Sequence, residues 1–416
     1  MKDAPRPLLN LDEALERLAA GAAPHRIGQI EVVSTFDGLG RILAADVAST
    51  LDVPPEDNTA MDGYALRAAD VPAAGTVLPV AQRIPAGVVG RPLEAGSAAR
   101  IFTGGQIPAG ADAVVMQEQC EAVAGEGLGA VRVQALPESG QWIRRRGEDV
   151  QRGAAVLAAG QRLTPQALGL AASVGAATLS LRRRPRVALF STGDELAMPG
   201  EPLKPGAIYN SNRFTLRGLL QAAGCVVDDL GIVPDRLDAT RDALRRAAAA
   251  ADLILSSGGV SVGEEDHVKP AVQAEGWLEA WQVAMKPGKP LAFGGVRREA
   301  GGEALFMGLP GNPVSSFVTF VLMVAPVLRA LQGAAAALPQ AVAVRADFDW
   351  PRPDRRREFL RARFNGAGGV EIFPNQSSGV LTSAVWADGL IDLPAGQPVA
   401  RGDTVQLLLL AGLIGA

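Results

Sequence analysis

Residues 186–331 alternate short apolar runs with helical patterns, and this alternation constrains the fold more than any other feature of the sequence. The runs at 186–190 and 252–255 are followed by segments rich in glycine and serine. Continuous apolar runs of this length are typical of strands buried on both faces. Helical spacing of apolar residues occurs at 213–223 and 238–251. Strands that alternate with helices predict a mostly parallel, doubly wound α/β sheet with helices on both faces.

The loops of this region are the first candidates for a binding site. Further strands are predicted at 225–230 and 304–307, and a long apolar helix is predicted to end at Leu331. In a parallel sheet the loops after the strands lie at one edge, where ligands bind. Because these loops are rich in glycine, serine, proline and carboxylates, we expect them to converge on one site.

The sequence on either side of the α/β region has a different pattern of apolar and turn residues. Residues 50–150 are rich in glycine, proline and valine, and short strands are predicted at 113–116 and 130–133. Short strands recur near the C-terminus, at 341–344 and 404–410. Turn residues between short strands indicate β-rich regions on both sides of the α/β region.

One helix is predicted near the N-terminus, over residues 11–20. Asn10 can cap it, Glu13 stands where a capping box requires it, and Gly21 can end it. A basic run ending at Pro185 reads as a linker into the α/β region.

Composition excludes several classes of function. The chain of 416 residues has a net charge of −4, so it lacks the basic surplus of a typical nucleic-acid-binding protein. It contains two histidines, His25 and His267, and two cysteines, Cys120 and Cys225. Zinc fingers, cysteine-ligated iron–sulfur clusters and disulfide frameworks are therefore unsupported. Chemistry is expected from carboxylates, lysines, hydroxyls and backbone amides.

The sequence also predicts where the protein is located. The first ten residues do not resemble a signal peptide. The longest apolar run, at 317–328, is interrupted by Pro326 and is shorter than the ~20 residues that span a bilayer. We expect a soluble, cytoplasmic protein.

Two loops carry the residues expected to bind anions. The loop at 256–263 is rich in glycine and serine, so it forms either a tight turn or a cradle of amides and hydroxyls around an oxyanion. The turn at 286–290 carries Lys286 and Lys289, which are either solvated surface lysines or a clamp for an anionic ligand.

Acidic residues beside these loops suggest a divalent cation. The acids at 264–266 are either helix caps or ligands, and carboxylates next to an anion cradle would repel a phosphate unless a cation lay between them. Mg²⁺ takes carboxylates together with ligand oxygens. Asp194, Glu195 or Asp266 would hold it, at a site for a polyanion and phosphate-type chemistry.

Seven motifs occur in the order of a known family. They are DNTAMDGYA at 57–65, FTGG at 102–105, VVMQE at 114–118, STGDEL at 191–196, SGGVSVG at 257–263, KPGKP at 286–290 and LPGNPVS at 309–315. With them the chain resembles the MoeA family of molybdopterin molybdenumtransferases, which includes the E domains of gephyrin and its plant counterpart. The resemblance runs from about residue 8 to the end.

The resemblance implies an activity and an architecture. Such enzymes insert molybdate into adenylylated molybdopterin with Mg²⁺ and release AMP, giving active molybdenum cofactor. The implied protein is a homodimer with a MogA-like molybdopterin-binding α/β domain, a β-rich N-terminal domain and a C-terminal β-barrel. The implied boundaries are 1–49 with 146–181 for the N-terminal helix and a segment-swapped linker region, 50–145 for the β-rich domain, 182–335 for the α/β domain and 336–416 for the C-terminal domain.

The family's functional positions can be carried over residue by residue. The catalytic residues implied are Asp62, Thr103, Glu195, Asp235, Asp266, Pro310 and Pro313. The residues expected to bind the molybdopterin substrate or molybdate are Ser257, Gly258, Gly259, Ser261, Gly263, Lys286, Lys289, Arg361, Ser377 and Ser378. The partners implied are the adenylyltransferase MogA and downstream molybdoenzyme chaperones, with no membrane or nucleic acid.

Two other functions are compatible with parts of the sequence. An adenylyltransferase of the MogA type would use the same α/β domain, but the β-rich flanks argue against it. A scaffold of the gephyrin type would need an appended partner-binding region, and none is seen.

Overall fold

The computed structural model describes residues 8–259, 267–335 and 338–414. The chain forms two compact units. The larger comprises Met1–Glu31, Gly40–Ala44 and Leu181–Ala416, and the smaller comprises Val32–Leu39 and Ala45–Ser180. The division into four domains made from the sequence stays a prediction.

The larger unit is built around a six-stranded sheet. Its strands, in spatial order, are Val226–Val233, Arg186–Thr192, Leu253–Ser257, Glu303–Leu309, Pro290–Arg297 and Gly276–Gln282. The first four are parallel to one another, and the last two add antiparallel strands. The predicted parallel sheet is therefore confirmed, and the antiparallel pair at its edge was not predicted.

Both faces of this sheet are covered, as continuous apolar strands require. In the strand Arg186–Thr192, Val187 and Leu189 join one hydrophobic cluster, whereas Ala188 and Phe190 join another on the opposite face. The helices of this unit are Leu11–Ala22, Ser211–Ala222, Leu237–Ala248, Val268–Glu275, Pro313–Thr319, Ala325–Leu331, Thr382–Trp386 and Leu410–Ile414, together with the short 3-10 helix Ala23–His25. The predicted helices at 213–223 and 238–251 are thus confirmed with shifted ends.

The N-terminal helix differs from the prediction in two details. Asn10 caps it by accepting a hydrogen bond from the backbone of Asp12, but Glu13 pairs with Arg17 instead of closing a capping box. Gly21 does not end the helix. It lies in the last turn, where a Cβ would come within 2.6 Å of the Phe293 ring, so the glycine permits close packing.

The long apolar helix is the centre of the core. The segment Pro313–Leu331 is 19 residues long and apolar enough to cross a membrane, but 89 % of its most apolar window is buried inside the protein. It is longer than the apolar run seen in the sequence. A π-helical segment, Phe320–Val324, precedes Pro326. Pro326 has no N–H to donate, and a local change of helix type accommodates such a residue.

A second six-stranded sheet forms the C-terminal part of the larger unit. Its strands are Met285–Lys286, Arg357–Phe364, Gly389–Leu393, Thr404–Leu409 and Val342–Arg345 in that order, with Val370–Ile372 paired to Arg357–Phe364. The first strand comes from the turn that carries the two predicted lysines, and it runs parallel to Arg357–Phe364. One further pair, Leu196–Ala197 with Ile208–Tyr209, lies outside both sheets.

The smaller unit is a β-rich fold around a third six-stranded sheet. Its strands are Ala113–Met116, Gly63–Leu66, Ala98–Ile101, Thr76–Ile84, Ala130–Val133 and Cys120–Val123. Two pairs of short strands accompany it, Asn58–Thr59 with Ile143–Arg144 and Val47–Ala48 with Ala155–Leu157. The helical elements are Pro165–Ser173 and the 3-10 turns Thr35–Asp37, Ala68–Asp70 and Gln117–Gln119; strands Ile30–Ser34 and Thr178–Arg182 lie at the unit's boundaries. The predicted strands at 113–116 and 130–133 are confirmed.

Candidate active site

A cleft of about 690 Å³ lies at the carboxyl ends of the parallel strands. The loops after the four parallel strands all reach it, as expected for an open α/β sheet. Its lining residues from these loops are Thr192, Gly193, Glu195, Asp235, Gly258, Gly259, Pro310, Gly311 and Asn312. The turn at 286–290, Ser315 of the long helix and a C-terminal group, Arg356 and 376–378, complete the lining.

Most of the predicted site residues of the larger unit line this cleft. They are Glu195, Asp235, Gly258, Gly259, Lys286, Lys289, Pro310, Ser377 and Ser378. Four others do not line it: Asp194 is exposed, Ser257 and Arg361 are buried, and Pro313 begins the long helix. Ser261, Gly263 and Asp266 lie outside the described residues.

The glycine pair that follows the strand Leu253–Ser257 has the geometry of a close turn. Gly258 and Gly259 have φ values of +88° and +68°, which side-chain-bearing residues rarely adopt. A Cβ at Gly259 would overlap the side chain of Val268. The backbone can therefore lie open to a ligand at this position, and no larger residue could replace Gly259 without a shift.

Asn212 ties two of the cleft loops together. Its side-chain nitrogen donates one hydrogen bond to Ser257 Oγ at 2.9 Å and another to the carbonyl of Gly311 at 2.7 Å. Ser257 is buried, so its hydroxyl serves this link within the loop framework. Nothing in the sequence pattern marked Asn212, because its partners are 45 and 99 residues away.

The two lysines of the turn have different surroundings. Lys286 Nζ lies 3.0 Å from Glu358 Oε1 and 3.4 Å from Asp354 Oδ2, and Glu358 is buried. Lys289 is exposed and makes no ion pair with any residue that the structure describes. Lys286 is therefore compensated and held in place by acids, whereas the charge of Lys289 is available to an anion in the cleft.

Arg356, which was not predicted, adds a further cation to the cleft wall. It donates two side-chain hydrogen bonds to Asp354, at 3.0 Å and 2.9 Å, and these bonds hold the pKa of that carboxyl well below its usual range. The sequence signal was the basic run at 355–357. The strand that begins at Arg357 pairs with Met285–Lys286, and this pairing of distant segments brings the basic run to the cleft.

Arg361 is a buried cation behind the loop at 376–378, which we call the serine loop because it carries Ser377 and Ser378. It donates hydrogen bonds to Ser383 Oγ and to the carbonyls of Phe359 and Ser377, at 3.1, 3.1 and 3.4 Å. Among the described residues no carboxylate pairs with it, and burial lowers its pKa to about 10. A buried, uncompensated charge is unfavourable, and an anion bound beside the serine loop would compensate it.

The serine loop is fixed to the long helix and to the C-terminal sheet. The carbonyl of Ser378 accepts a hydrogen bond from the backbone of Val314, at the start of the long helix. Gln376 exchanges two hydrogen bonds with the backbone of Arg361, at 2.9 and 3.0 Å. The hydroxyl-bearing loop is therefore held at the cleft by one main-chain hydrogen bond and by the side chain of Gln376.

In the smaller unit, two predicted catalytic residues contact each other. Asp62 Oδ1 accepts hydrogen bonds from the backbone N–H and the hydroxyl of Thr103, both at 2.7 Å. Both donors lower the pKa of the Asp62 carboxyl, and the backbone N–H has the larger effect. Nearby, the guanidinium of Arg100 lies over the rings of Tyr64 and Phe102, 5.1 and 4.5 Å from their centres. Asp62 is thus kept ionised and oriented.

The described residues contain no group of three His, Cys, Asp or Glu side chains arranged to hold a metal ion. Glu195 and Asp235 are two carboxylates that line the same cleft. One or two carboxylates with substrate phosphates and water is the usual set for Mg²⁺, so this pair suits a cation that arrives with a phosphorylated ligand.

Three family descriptions match the chain in order. They are the MoeA N-terminal region (domain I and II) at residues 9–175, a probable molybdopterin binding domain at 188–330 and the MoeA C-terminal region (domain IV) at 343–410. Together they span both units.

Relatives that cover most of the chain agree with these descriptions. The chain is 43 % identical over 305 residues to a molybdopterin molybdenumtransferase of Haemophilus influenzae, covering 73 % of this chain and 74 % of that protein. It is 36 % identical over 392 residues to the enzyme of that name from Nostoc, covering 91 % and 88 %. A crystal structure of a molybdopterin biosynthesis MoeA protein from Pyrococcus horikoshii superposes with a TM-score of 0.80 at 30 % identity, covering 97 % of this chain and all of that one.

Proposed function

The chain belongs to the MoeA family, and we propose that it is a molybdopterin molybdenumtransferase that inserts molybdate into adenylylated molybdopterin and releases AMP. The observation that carries the proposal is the cleft itself. Glycine loops, two carboxylates, two lysines and hydroxyls surround one volume at the carboxyl ends of a parallel sheet. Such a site suits a large polyanion that bears phosphates.

The carboxyl-end loops would hold the phosphorylated pterin. The amides around Gly258 and Gly259 can approach its phosphates closely, because the backbone there carries no side chain. Glu195 and Asp235 would hold Mg²⁺, which, when bound, neutralises phosphate charge and polarises phosphorus for attack. Ser261, Gly263 and Asp266 stay predictions for the same role.

The opposite wall would receive molybdate. Molybdate is a tetrahedral dianion, and Lys289, Ser377 and Ser378 present a cation and two hydroxyls to the cleft. Arg361 supports this wall from behind, since its guanidinium binds the carbonyl of Ser377. Lys286 completes it as a cation fixed by Glu358. These residues position and stabilise charge, which is the main contribution that such a reaction requires from the protein.

The test is direct conversion with purified protein. Adenylylated molybdopterin, molybdate and Mg²⁺ should yield AMP together with cofactor that activates a cofactor-free molybdoenzyme. If the protein instead forms adenylylated molybdopterin from ATP and molybdopterin without molybdate, it is an adenylyltransferase and the proposal is wrong.

The metal assignment has a matched pair of variants. Glu195→Gln should raise the Mg²⁺ concentration required for half-maximal activity about tenfold, the size of effect expected for loss of one charge-assisted contact. Asp194→Asn removes the neighbouring carboxylate, which is exposed and does not line the cleft. Equal effects of the two substitutions would refute the assignment to Glu195.

We also propose that the enzyme is a homodimer in which Asp62 and Thr103 contribute to activity. The support is the family membership and the ionised, oriented carboxylate that Thr103 maintains. Light scattering would give the mass of the particle, and a monomeric mass with full activity would contradict the proposal.

A further inference from the structure

We propose that Trp142 of the smaller unit is a stacking residue for a planar heteroaromatic group of the substrate. Its backbone has a φ of +57°, and no other side-chain-bearing residue that the structure describes has a positive φ. This left-handed conformation is unfavourable for residues with a Cβ and is rarest for bulky ones. Glycine or asparagine would adopt the same backbone with less strain, and strain of this kind is concentrated at functional sites. The indole itself therefore accounts for the choice of residue.

The indole of Trp142 has no partner in the described part of the chain. It is 36 % exposed, and among the described residues no ring stacks on it, no cation lies over it and no acceptor binds its Nε1. The protein has five tryptophans, and each of the others donates a hydrogen bond from Nε1 to a glutamate or packs against another ring. These are Trp277, Trp281, Trp350 and Trp386. Packing within the fold therefore does not explain the strained backbone at Trp142.

Backbone contacts fix Trp142 to the segment that leads to Asp62. Its carbonyl accepts a hydrogen bond from the backbone N–H of Ala60 at 2.9 Å. The two residues after it form a short strand that pairs with Asn58–Thr59. That strand is also bonded to the loop at 102–105, whose threonine orients the carboxylate of Asp62. The segment that leads to Asp62 is therefore held by both Trp142 and this loop.

Asp62 supplies a hydrogen-bond acceptor next to the indole's segment. Its Oδ1 accepts both hydrogen bonds from Thr103, and its Oδ2 has no hydrogen-bond partner among the described residues. Because an ionised carboxylate can only accept hydrogen bonds, Oδ2 is suited to an N–H group of a ligand. Proteins hold flat nitrogen heterocycles by stacking on the face and hydrogen bonding at the edge. Trp142 and Asp62 provide one group of each kind.

The ligand is a planar nitrogen heterocycle that carries an amino group, and its identity rests on the proposed function. Adenylylated molybdopterin contains two such rings, the adenine and the pterin. Both have a flat face for the indole and an amino group for Asp62. The shared chemistry defines the site, and separate measurements with each ring identify which of the two it receives.

Equilibrium dialysis of the full chain tests the stacking site. AMP and pterin are measured separately, with inorganic phosphate as the reference ligand that has no ring. Trp142→Asn removes the indole and tolerates the left-handed backbone. It should raise the dissociation constant of AMP or of pterin about tenfold, as expected for the loss of one stacked ring. Trp142→Phe keeps an aromatic face and should restore much of the affinity, and phosphate binding should not change in either variant.

Urea unfolding of the same variants separates a binding role from a structural one. Trp142→Asn should unfold at a higher urea concentration than the wild type, because it relieves strain and removes no contact within the described fold. Trp277→Asn is the matched control, since Trp277 is 37 % exposed but donates a hydrogen bond to Glu303 and packs edge-on against Phe293 at 5.6 Å. The control should unfold at a lower urea concentration and bind AMP and pterin as the wild type does.

Two results would overturn the proposal. One is unchanged affinity for both AMP and pterin in Trp142→Asn, and the other is a lower urea midpoint for that variant, which would make the indole a structural residue. The transferase assay on the wild-type protein keeps this test separate from that of the function. Trp142-dependent binding by a protein that forms no cofactor would leave the stacking site and remove the proposed function. Cofactor formation together with Trp142-independent binding would do the reverse.

Discussion

Replacing Arg361 by methionine is expected to abolish stabilisation by molybdate while changing the free energy of unfolding by less than about 2 kcal/mol. The guanidinium is 1 % exposed and has no carboxylate partner among the described residues. Burial lowers its pKa from 12.5 to about 10, which corresponds to roughly 3 kcal/mol against the charged form. Its three hydrogen bonds, one of them as long as 3.4 Å, contribute in the opposite direction at a net of about 1 kcal/mol each, or roughly 3 kcal/mol together. The methionine variant loses both contributions, so its free energy of unfolding should differ little from that of the wild type.

Urea unfolding with and without molybdate measures this effect. At a molybdate concentration of about 100 times the dissociation constant, the wild type should gain about 2.7 kcal/mol and the methionine variant nothing. Arg363→Met is the control, because Arg363 lies on the same strand but is exposed and pairs with Glu371. That variant should lose less than about 1 kcal/mol and keep the gain.

Two results would refute this reasoning. A loss of about 3–5 kcal/mol in Arg361→Met without molybdate would show that the guanidinium is a structural partner that the fold requires. An undiminished gain with molybdate would show that the oxyanion binds without it.

Three further predictions concern the loops. Gly259→Ala should destabilise the protein by more than about 1 kcal/mol in urea unfolding, because its φ of +68° disfavours a Cβ, whereas Gly311→Ala, with open space around it, should be nearly neutral. Asn212→Ala should cost about 1–3 kcal/mol in the same measurement, since it leaves the buried link to Gly311 unmade. Thr103→Val should raise the pKa of Asp62 only part of the way to its ordinary value, because the backbone donor remains; a carboxyl-carbon NMR titration that shows no shift would contradict this. The part of stability linked to Asp62 is present above the ordinary pKa of 3.8 and is lost as the pH falls through the lowered value.

The α/β region could be predicted from the sequence because its strands are buried on both faces. A run such as 186–190 has few alternatives once helices flank it on both sides. The position of the cleft then followed from topology alone, and Glu195, Asp235 and Gly258 do line it. Their roles in the reaction stay predictions.

Contacts between distant segments could not be predicted in this way. Lys286 looked like a free cation, but Glu358, 72 positions later in the chain, lies 3.0 Å from it. Gly21 looked like the end of a helix. It is a glycine for another reason, since the ring of Phe293 leaves no room for a Cβ. Local patterns report on local conformation, and these two residues are determined by tertiary packing.

The strand Met285–Lys286 has a consequence for how the protein can be divided. It pairs with Arg357–Phe364 of the C-terminal sheet, while four residues later Pro290 begins a strand of the central sheet. A fragment that ends near residue 335 would therefore leave the strand Met285–Lys286 without its neighbour and Lys286 without Glu358. Minimal versions of this enzyme should be cut outside the larger unit, since a boundary inside it would divide the binding cleft as well as the chain.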